Sequence, residues 1–187
     1  RETYAPSARP SYAAPEDGTA GGHDSPAVGL VVREARALAA DGRPICAAIG
    51  FFDGVHLGHQ RVIRQALTDA RHCGGLAVAI TFDTHPRAIV APQRNPALIY
   101  PLAKRQAVLG ELGISTILLL HFDAQLSQQS GEQFVRRLVA DCGQLRSLSV
   151  GTNFHFGHQR KGNLALLTLL GQELKFAVHG HPPVEWQ

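Results

Sequence analysis

The sequence predicts an α/β fold, with a parallel sheet of about five strands and helices on both faces. Three observations carry that reading. From residue 28 onward, short apolar runs alternate with stretches of helical periodicity. The runs, such as Ile45–Gly50 and Ile117–Leu120, are apolar nearly throughout, the pattern of strands covered on both faces. The polar, glycine-rich segments follow directly after such runs, where open α/β sheets bind their ligands.

The elements follow in order. Residues 1–27 are rich in Pro, Ala, Gly and Ser and almost free of large aliphatic side chains, so they read as a flexible arm. Val28–Val32 is a short strand and Val32–Ala40 a short helix. Ile45–Gly50 is a strand, and Gly58–Cys73 an amphipathic helix with Val62, Ile63, Ala66, Leu67 and Ala70 on one face. Leu76–Phe82 is a strand. Ala88–Leu98, with Pro92, Asn95 and Pro96, reads as a long mobile loop. Pro101–Leu112 is a helix that opens on proline and closes at Gly113. Ser115–Phe122 is a strand. Ser130–Cys142 is a helix whose Ser130 and Gln133 make a capping box. Leu145–Gly151 is a strand, Asn163–Leu170 a helix and Leu174–Val178 the last strand.

Composition narrows the function. The 187 residues suffice for one domain with a full core. Lys plus Arg exceed Asp plus Glu by 18 − 15 = 3, a mild excess that suits a small anionic ligand and does not call for nucleic acid. No apolar stretch approaches the roughly 20 residues of a membrane-spanning helix. Cys46, Cys73 and Cys142 are far apart in sequence, with neither disulfide-framework nor zinc spacing, and read as buried reduced thiols of a cytoplasmic protein. The chain begins at Arg1 and contains no Met, which reads as a fragment or a trimmed start. Its opening has no apolar signal core, and Glu2, Glu16, Asp17 and Asp24 speak against a mitochondrial leader.

Three segments carry chemistry. Gly50-Phe51-Phe52-Asp53-Gly54-Val55-His56-Leu57-Gly58-His59 lies between a strand and a helix start. Backbone N–H groups and the positive end of the helix dipole make such a junction a phosphate site. Imidazoles there can hydrogen-bond phosphate oxygens or stabilise a phosphoryl transition state. The blander reading is a helix start that the histidines merely cap, with Asp53 as a turn residue. The second segment, Thr81-Phe82-Asp83-Thr84-His85-Pro86-Arg87, offers His85 and Arg87 at a strand end, or is simply a loop started by Pro86. The third runs from Gly151 to Asn163 and sets Phe154, Phe156, His155, His158, Arg160 and Lys161 between glycines. Aromatic faces and cations suit a planar ring with a phosphate tail. Asp123 reads as a turn residue or a cleft carboxylate, and His121 as a satisfied histidine. His179 and His181 have metal-ligand spacing without a further cluster, so zinc is not expected.

These three motifs, in this order, resemble those of bacterial FAD synthetases, the FMN adenylyltransferase module of the bifunctional riboflavin kinase/FAD synthetase family. Gly113–Asp123 and Gly131–Val135 fit the same family, and the resemblance covers about residues 44–184. It implies a Rossmann-like nucleotidylyltransferase fold over residues 28–187. It also implies a cytoplasmic enzyme that transfers AMP from ATP to FMN, giving FAD and pyrophosphate. His56 and His59 would be catalytic. Gly50, Phe51, Phe52, Asp53 and Gly58 would bind ATP. His85, Pro86, Arg87, Asn153, Phe154, Phe156 and Arg160 would bind the flavin. Magnesium would come with ATP, no metal ligand is assigned to the protein, and no nucleic-acid or membrane partner is implied. A riboflavin kinase domain would follow in the full-length protein.

The chain departs from the family pattern at three places. An acidic residue usually stands at Asn153 and an arginine at His155. Glu-Pro usually stands at Asp83-Thr84. A Ser-Ser-Thr-x-x-Arg segment that clamps ATP usually follows the last strand, whereas this sequence stops at Pro182–Gln187. Weak or absent turnover is therefore expected of these residues alone. Two other readings compete: a nucleotidylyltransferase with another acceptor, such as phosphopantetheine or nicotinamide mononucleotide, and a non-catalytic flavin or adenine-nucleotide binding module.

Overall fold

Six strands, β1 (Leu30–Val32), β2 (Ile45–Ile49), β3 (Leu76–Phe82), β4 (Thr116–Leu120), β5 (Leu145–Gly151) and β6 (Ala177–His181), pair in parallel in the order β1-β4-β3-β2-β5-β6. The computed structural model describes residues 29–94 and 97–184, so the arm expected over residues 1–27 lies outside the described residues. The sheet has six strands against the about five expected, and the short strand expected at Val28–Val32 is its three-residue edge strand β1.

The central strands are buried throughout, and their side chains alternate between two cores. Ile45, Ala47 and Ile49 of β2 enter one core, and Cys46 and Ala48 the other. Helices α1 (Arg36–Ala39), α6 (Gly131–Cys142) and α7 (Leu164–Leu174) cover the first face through Leu38, Val135, Leu138, Leu167 and Leu170. Helices α2 (Leu57–Cys73) and α4 (Leu102–Glu111) cover the second, α2 through Val62, Ile63, Ala66 and Ala70 as its periodicity predicts. The Ser130–Gln133 capping box forms at the start of α6.

Four expectations are corrected. The first helix is only Arg36–Ala39, shorter than Val32–Ala40. The stretch expected as a loop over Ala88–Leu98 carries most of α3 (Pro86–Val90), capped by the His85 side chain, and a turn of 3₁₀ helix at Pro92–Arg94. A helix absent from the sequence reading, α5 (Ala124–Gln128), starts where Asp123 accepts a hydrogen bond from the Leu126 N–H. The last strand begins at Ala177, not Leu174. The preceding helix runs on to Leu174 and closes at Lys175, where Phe176 N–H bonds the Gly171 carbonyl.

Candidate functional site

The three chemistry-bearing segments follow β2, β3 and β5, which are neighbours at the centre of the sheet. From β2 the chain runs outward through β3 and β4 on one side and β5 and β6 on the other. The Gly50–His59 turn therefore leaves the sheet at the point where strand order reverses, the crevice in which open α/β sheets bind ligands.

That turn is strained and tightly held. Phe52 and Val55 sit at φ +55° and +40°, a region that a β-branched residue rarely enters. Gln60 and Thr81 donate to its Val55 and Phe51 carbonyls, and two charged side chains fix it further. Asp53 accepts the N–H groups of Ile99 (2.9 Å) and Tyr100 (2.8 Å), tying the turn to the segment before α4. Burial pulls the Asp53 pKa up, but these N–H donors outweigh it and hold the carboxyl below its usual range. Both oxygens of Asp53, expected at ATP, are thus engaged by backbone. The second side chain is Arg105, which the sequence reading did not single out. It is 1 % exposed and donates to the carbonyls of Phe51 (2.7 Å), two residues past β2, and Phe82 (3.1 Å), the last residue of β3. Its guanidinium also lies 4.2 Å from the centre of the Phe51 ring. Burial lowers its pKa, and Asp53 and Asp83 oppose that.

His56 caps α2: its Nδ1 accepts the His59 N–H at 3.4 Å. Its ring stacks on that of His59, with centroids 3.7 Å apart and 22° between planes. Gly58 makes room for this, since a Cβ there would lie 3.1 Å from the His56 ring. His59 meets the buried Phe52 edge-on at 5.4 Å, and its Nδ1 is buried without a hydrogen-bond partner. Burial, and then the neighbouring His56, push the His59 pKa down to about 4. A neutral imidazole with a spare ring nitrogen therefore stands beside the free N–H groups of a helix start. A phosphate brought there gains hydrogen bonds, and its charge favours protonation of the ring.

The second segment lies alongside. The His85 Nδ1 accepts the Arg87 N–H at 3.1 Å, Pro86 opens α3, and Arg87 is exposed. The His85 ring stands edge-on to Phe51 with centroids 4.5 Å apart. Burial, with Arg87 beside it, lowers the His85 pKa. Asp83 is not free: it bonds His121 Nδ1 at 2.8 Å and accepts the Phe122 N–H at 3.2 Å. His121 is thus a satisfied histidine, as expected, and Asp83 raises its pKa.

The third segment is held by backbone hydrogen bonds and by packing. Phe156 and Gly162 exchange backbone hydrogen bonds of 3.0 and 2.8 Å. Phe154 stacks on Phe156 at 5.5 Å, and Phe156 also meets Phe134 at 6.2 Å. His158 bonds the Gln129 carbonyl through its N–H (2.7 Å) and the Ser127 carbonyl through its ring (3.2 Å), docking the loop on the α5–α6 junction. Asn153 and Arg160 are exposed, and His155 Nδ1 turns back to the Asn153 carbonyl at 2.9 Å. The phenylalanines expected at the flavin thus stack on one another while keeping partial exposure.

Other sequence candidates find structural partners. Asp123 caps α5, and His179 Nε2 pairs with Asp69 at 3.1 Å. The described residues gather no group of three or more His, Cys, Asp or Glu fit for a metal ion. Cys73 is exposed, against expectation, and lies beside Cys46 in space. A cleft of about 330 Å³ opens between Arg33, His121, Asp123, Phe134 and Arg137. It does not include His56 or His59, but it is lined by Asp123, which the sequence offers as a turn residue or a cleft carboxylate.

A parallel α/β sheet with a two-histidine helix start at its switch point defines the class: a fold of the Rossmann-like nucleotidyltransferase kind. The chain belongs to the FAD synthetase family, whose model matches residues 39–187. It is 34% identical over 155 residues to a bifunctional riboflavin kinase/FMN adenylyltransferase of Pseudomonas fluorescens, covering 83% of this chain and 50% of that protein. It is 39% identical over 120 residues to a putative enzyme of the same description from Geobacillus thermodenitrificans, covering 64% of each. The chain thus spans about half to two thirds of the length of these relatives. A solved structure described as a macrolide-efflux protein from Streptococcus pneumoniae shares the fold, with a TM-score of 0.69 at 22% identity over 86% of this chain and 52% of that one. Among the described residues no helix is long and apolar enough to cross a membrane.

Proposed function

We propose that this chain is an FMN adenylyltransferase, transferring AMP from ATP to FMN to give FAD and pyrophosphate. The observation that carries the reading is the stacked His56–His59 pair at the start of α2, with the unpartnered His59 nitrogen at the switch point of the sheet. In this reading the FMN phosphate attacks the α-phosphorus of ATP in line, with pyrophosphate leaving, so the protein's work is positioning and charge stabilisation. His56 and His59 act on the ATP phosphates. The backbone at Gly50, Phe51, Phe52 and Gly58 admits the nucleotide, and Asp53 serves it by holding the turn in shape. His85, Pro86, Arg87, Asn153, Phe154, Phe156 and Arg160 face the flavin. Magnesium arrives with ATP as part of the substrate. Residues 28–187 form the catalytic unit in this reading. A cytoplasmic location and a riboflavin kinase partner activity, which the relatives' names include, belong to the same proposal.

The test mixes the chain with FMN, ATP and magnesium and separates the flavins by chromatography. FAD should form, even slowly, and His59→Ala should lower its rate by a factor of about 100 or more. Calorimetry on the same samples decides the alternatives. FMN and ATP binding without pyrophosphate release would make the chain a binding module. AMP transfer to nicotinamide mononucleotide or phosphopantetheine in place of FMN would reassign the acceptor. Binding of neither substrate would overturn the reading.

A further inference from the structure

At the opposite end of β2 from the histidines, two cysteines meet. Cys46 lies near the start of β2 on the face covered by α2, and Cys73 is the last residue of α2. Their sulfurs are 3.6 Å apart, so side-chain rotation rather than a large backbone movement would bring them to bonding distance. The two differ in access. Cys46 is 1 % exposed, while Cys73 is exposed to solvent. Cys73 has few other ties, since its Sγ makes only a long contact of 3.8 Å to the Ala70 carbonyl within its own helix. Cys142 provides a contrast within the same fold. It is buried in the other core, and burial raises its pKa to about 12.

We propose that Cys46 and Cys73 are a redox-active thiol pair, which hydrogen peroxide oxidises to a disulfide joining the end of α2 to the start of β2. The exposed Cys73, as thiolate, attacks one peroxide oxygen. The O–O bond breaks, a sulfenic acid forms, and the hydroxide released leaves as water. The Cys46 sulfur then attacks the sulfenic sulfur. The S–S bond forms, the S–O bond breaks, and the hydroxide takes up the Cys46 thiol proton as a second water. Each sulfur gives up one electron and the peroxide gains two. A small dithiol reverses the reaction. Burial holds the Cys46 pKa at about 11, so Cys46 is the resolving thiol and not the first to react. The disulfide would close a ring from residue 46 to 73 that contains the whole Gly50–His59 turn. It would staple β2 to the helix that carries the histidine pair and restrict the unfolded chain.

Treatment of the protein with hydrogen peroxide, trapping of free thiols with N-ethylmaleimide and mass spectrometry test this. The expected result is a loss of two hydrogens and a tryptic cross-link between the peptides 37–61 and 72–87, reversed by dithiothreitol. Cys142 should stay alkylated. Thermal unfolding should shift upward by roughly 5–10 °C in the oxidised form. Cys46→Ala, checked for folding by circular dichroism, should divert Cys73 to the sulfinic acid or to an intermolecular disulfide. In the unsubstituted protein, Cys73 sulfinic acid with Cys46 still alkylated, a Cys73–Cys73 dimer, or no oxidation at either residue would each overturn the proposal.

Discussion

The Gly50–His59 turn and the Gly151–Asn163 loop leave adjacent strands at the same edge of the sheet, and both drive non-glycine residues to positive φ. Phe52 and Val55 do so in the first, Gln159 and Arg160 in the second. They are held by different forces. Charge and hydrogen bonds fix the first: a buried guanidinium on the carbonyls of Phe51 and Phe82 and a carboxylate on two N–H groups. Neutral hydrogen bonds to backbone carbonyls, close backbone approach and stacked rings fix the second. The difference suits the proposed division of labour. A site for a transferring phosphate needs fixed dipoles, whereas a site for a planar ring needs apolar surface with adjustable polar groups.

The comparison breaks most visibly at Arg105. Arg105→Leu removes a buried cation and leaves two carbonyls and the Asp53 and Asp83 charges without it. It should destabilise the fold by about 4 kcal/mol, read as a fall in the urea midpoint. Arg105→Lys should recover part of that, because an ammonium can reach one carbonyl but lacks the planar fork. A leucine variant as stable as the parent would mean that hydrogen bonds do not hold the turn.

The second region should yield to a single methyl group. Gly157 sits at φ +70°, and a Cβ there would lie 2.3 Å from the Gly131 nitrogen. Gly157→Ala therefore combines an unfavourable dihedral with a backbone clash and should cost about 3 kcal/mol. Proteolysis should locate the damage at the loop and the α5–α6 junction, with the Gly50–His59 turn unaffected. Equal protease exposure of both segments would show that the two are one cooperative unit and would undo the contrast.

The frame of the molecule was readable because periodicity is local. The buried runs of β2 to β5, the apolar face of α2 and the Ser130–Gln133 box each declare themselves within a dozen residues. The histidine pair was legible for the same reason, standing between a strand and a helix. Arg105 was not. In Leu-Ala-Lys-Arg-Gln it looks like any surface-helix arginine, and only the packing of α4 under Phe51 buries it. Nor was the Cys46–Cys73 meeting, since 27 positions separate residues that the β2–α2 return brings together. The short helices α3 and α5 escaped because they are too brief for a periodic signal. Their caps, His85 before Pro86 and Asp123, were the marks they left in the sequence.

The finest distinction between the two regions lies in protonation. His59 is half-buried with a folded-state pKa of about 4, against about 6.5 when unfolded. The unfolded chain thus takes up its proton first. The contribution of the neutral ring to stability is complete above pH 6.5 and is lost as pH falls toward 4. Discounted for its partial exposure, the swing is about 2 kcal/mol. Denaturant unfolding at pH 7 and at pH 4 should reveal it as a loss that His59→Gln largely removes, while Gly157→Ala leaves it in place. An anion at the α2 start would act in the opposite sense. Pyrophosphate favours the protonated ring, so it should stabilise the protein more at pH 5 than at pH 8, and His59→Gln should flatten that preference. If pyrophosphate stabilises the protein equally at both values, His59 does not meet the phosphate, and the first region is a structural turn rather than a charge-stabilising one.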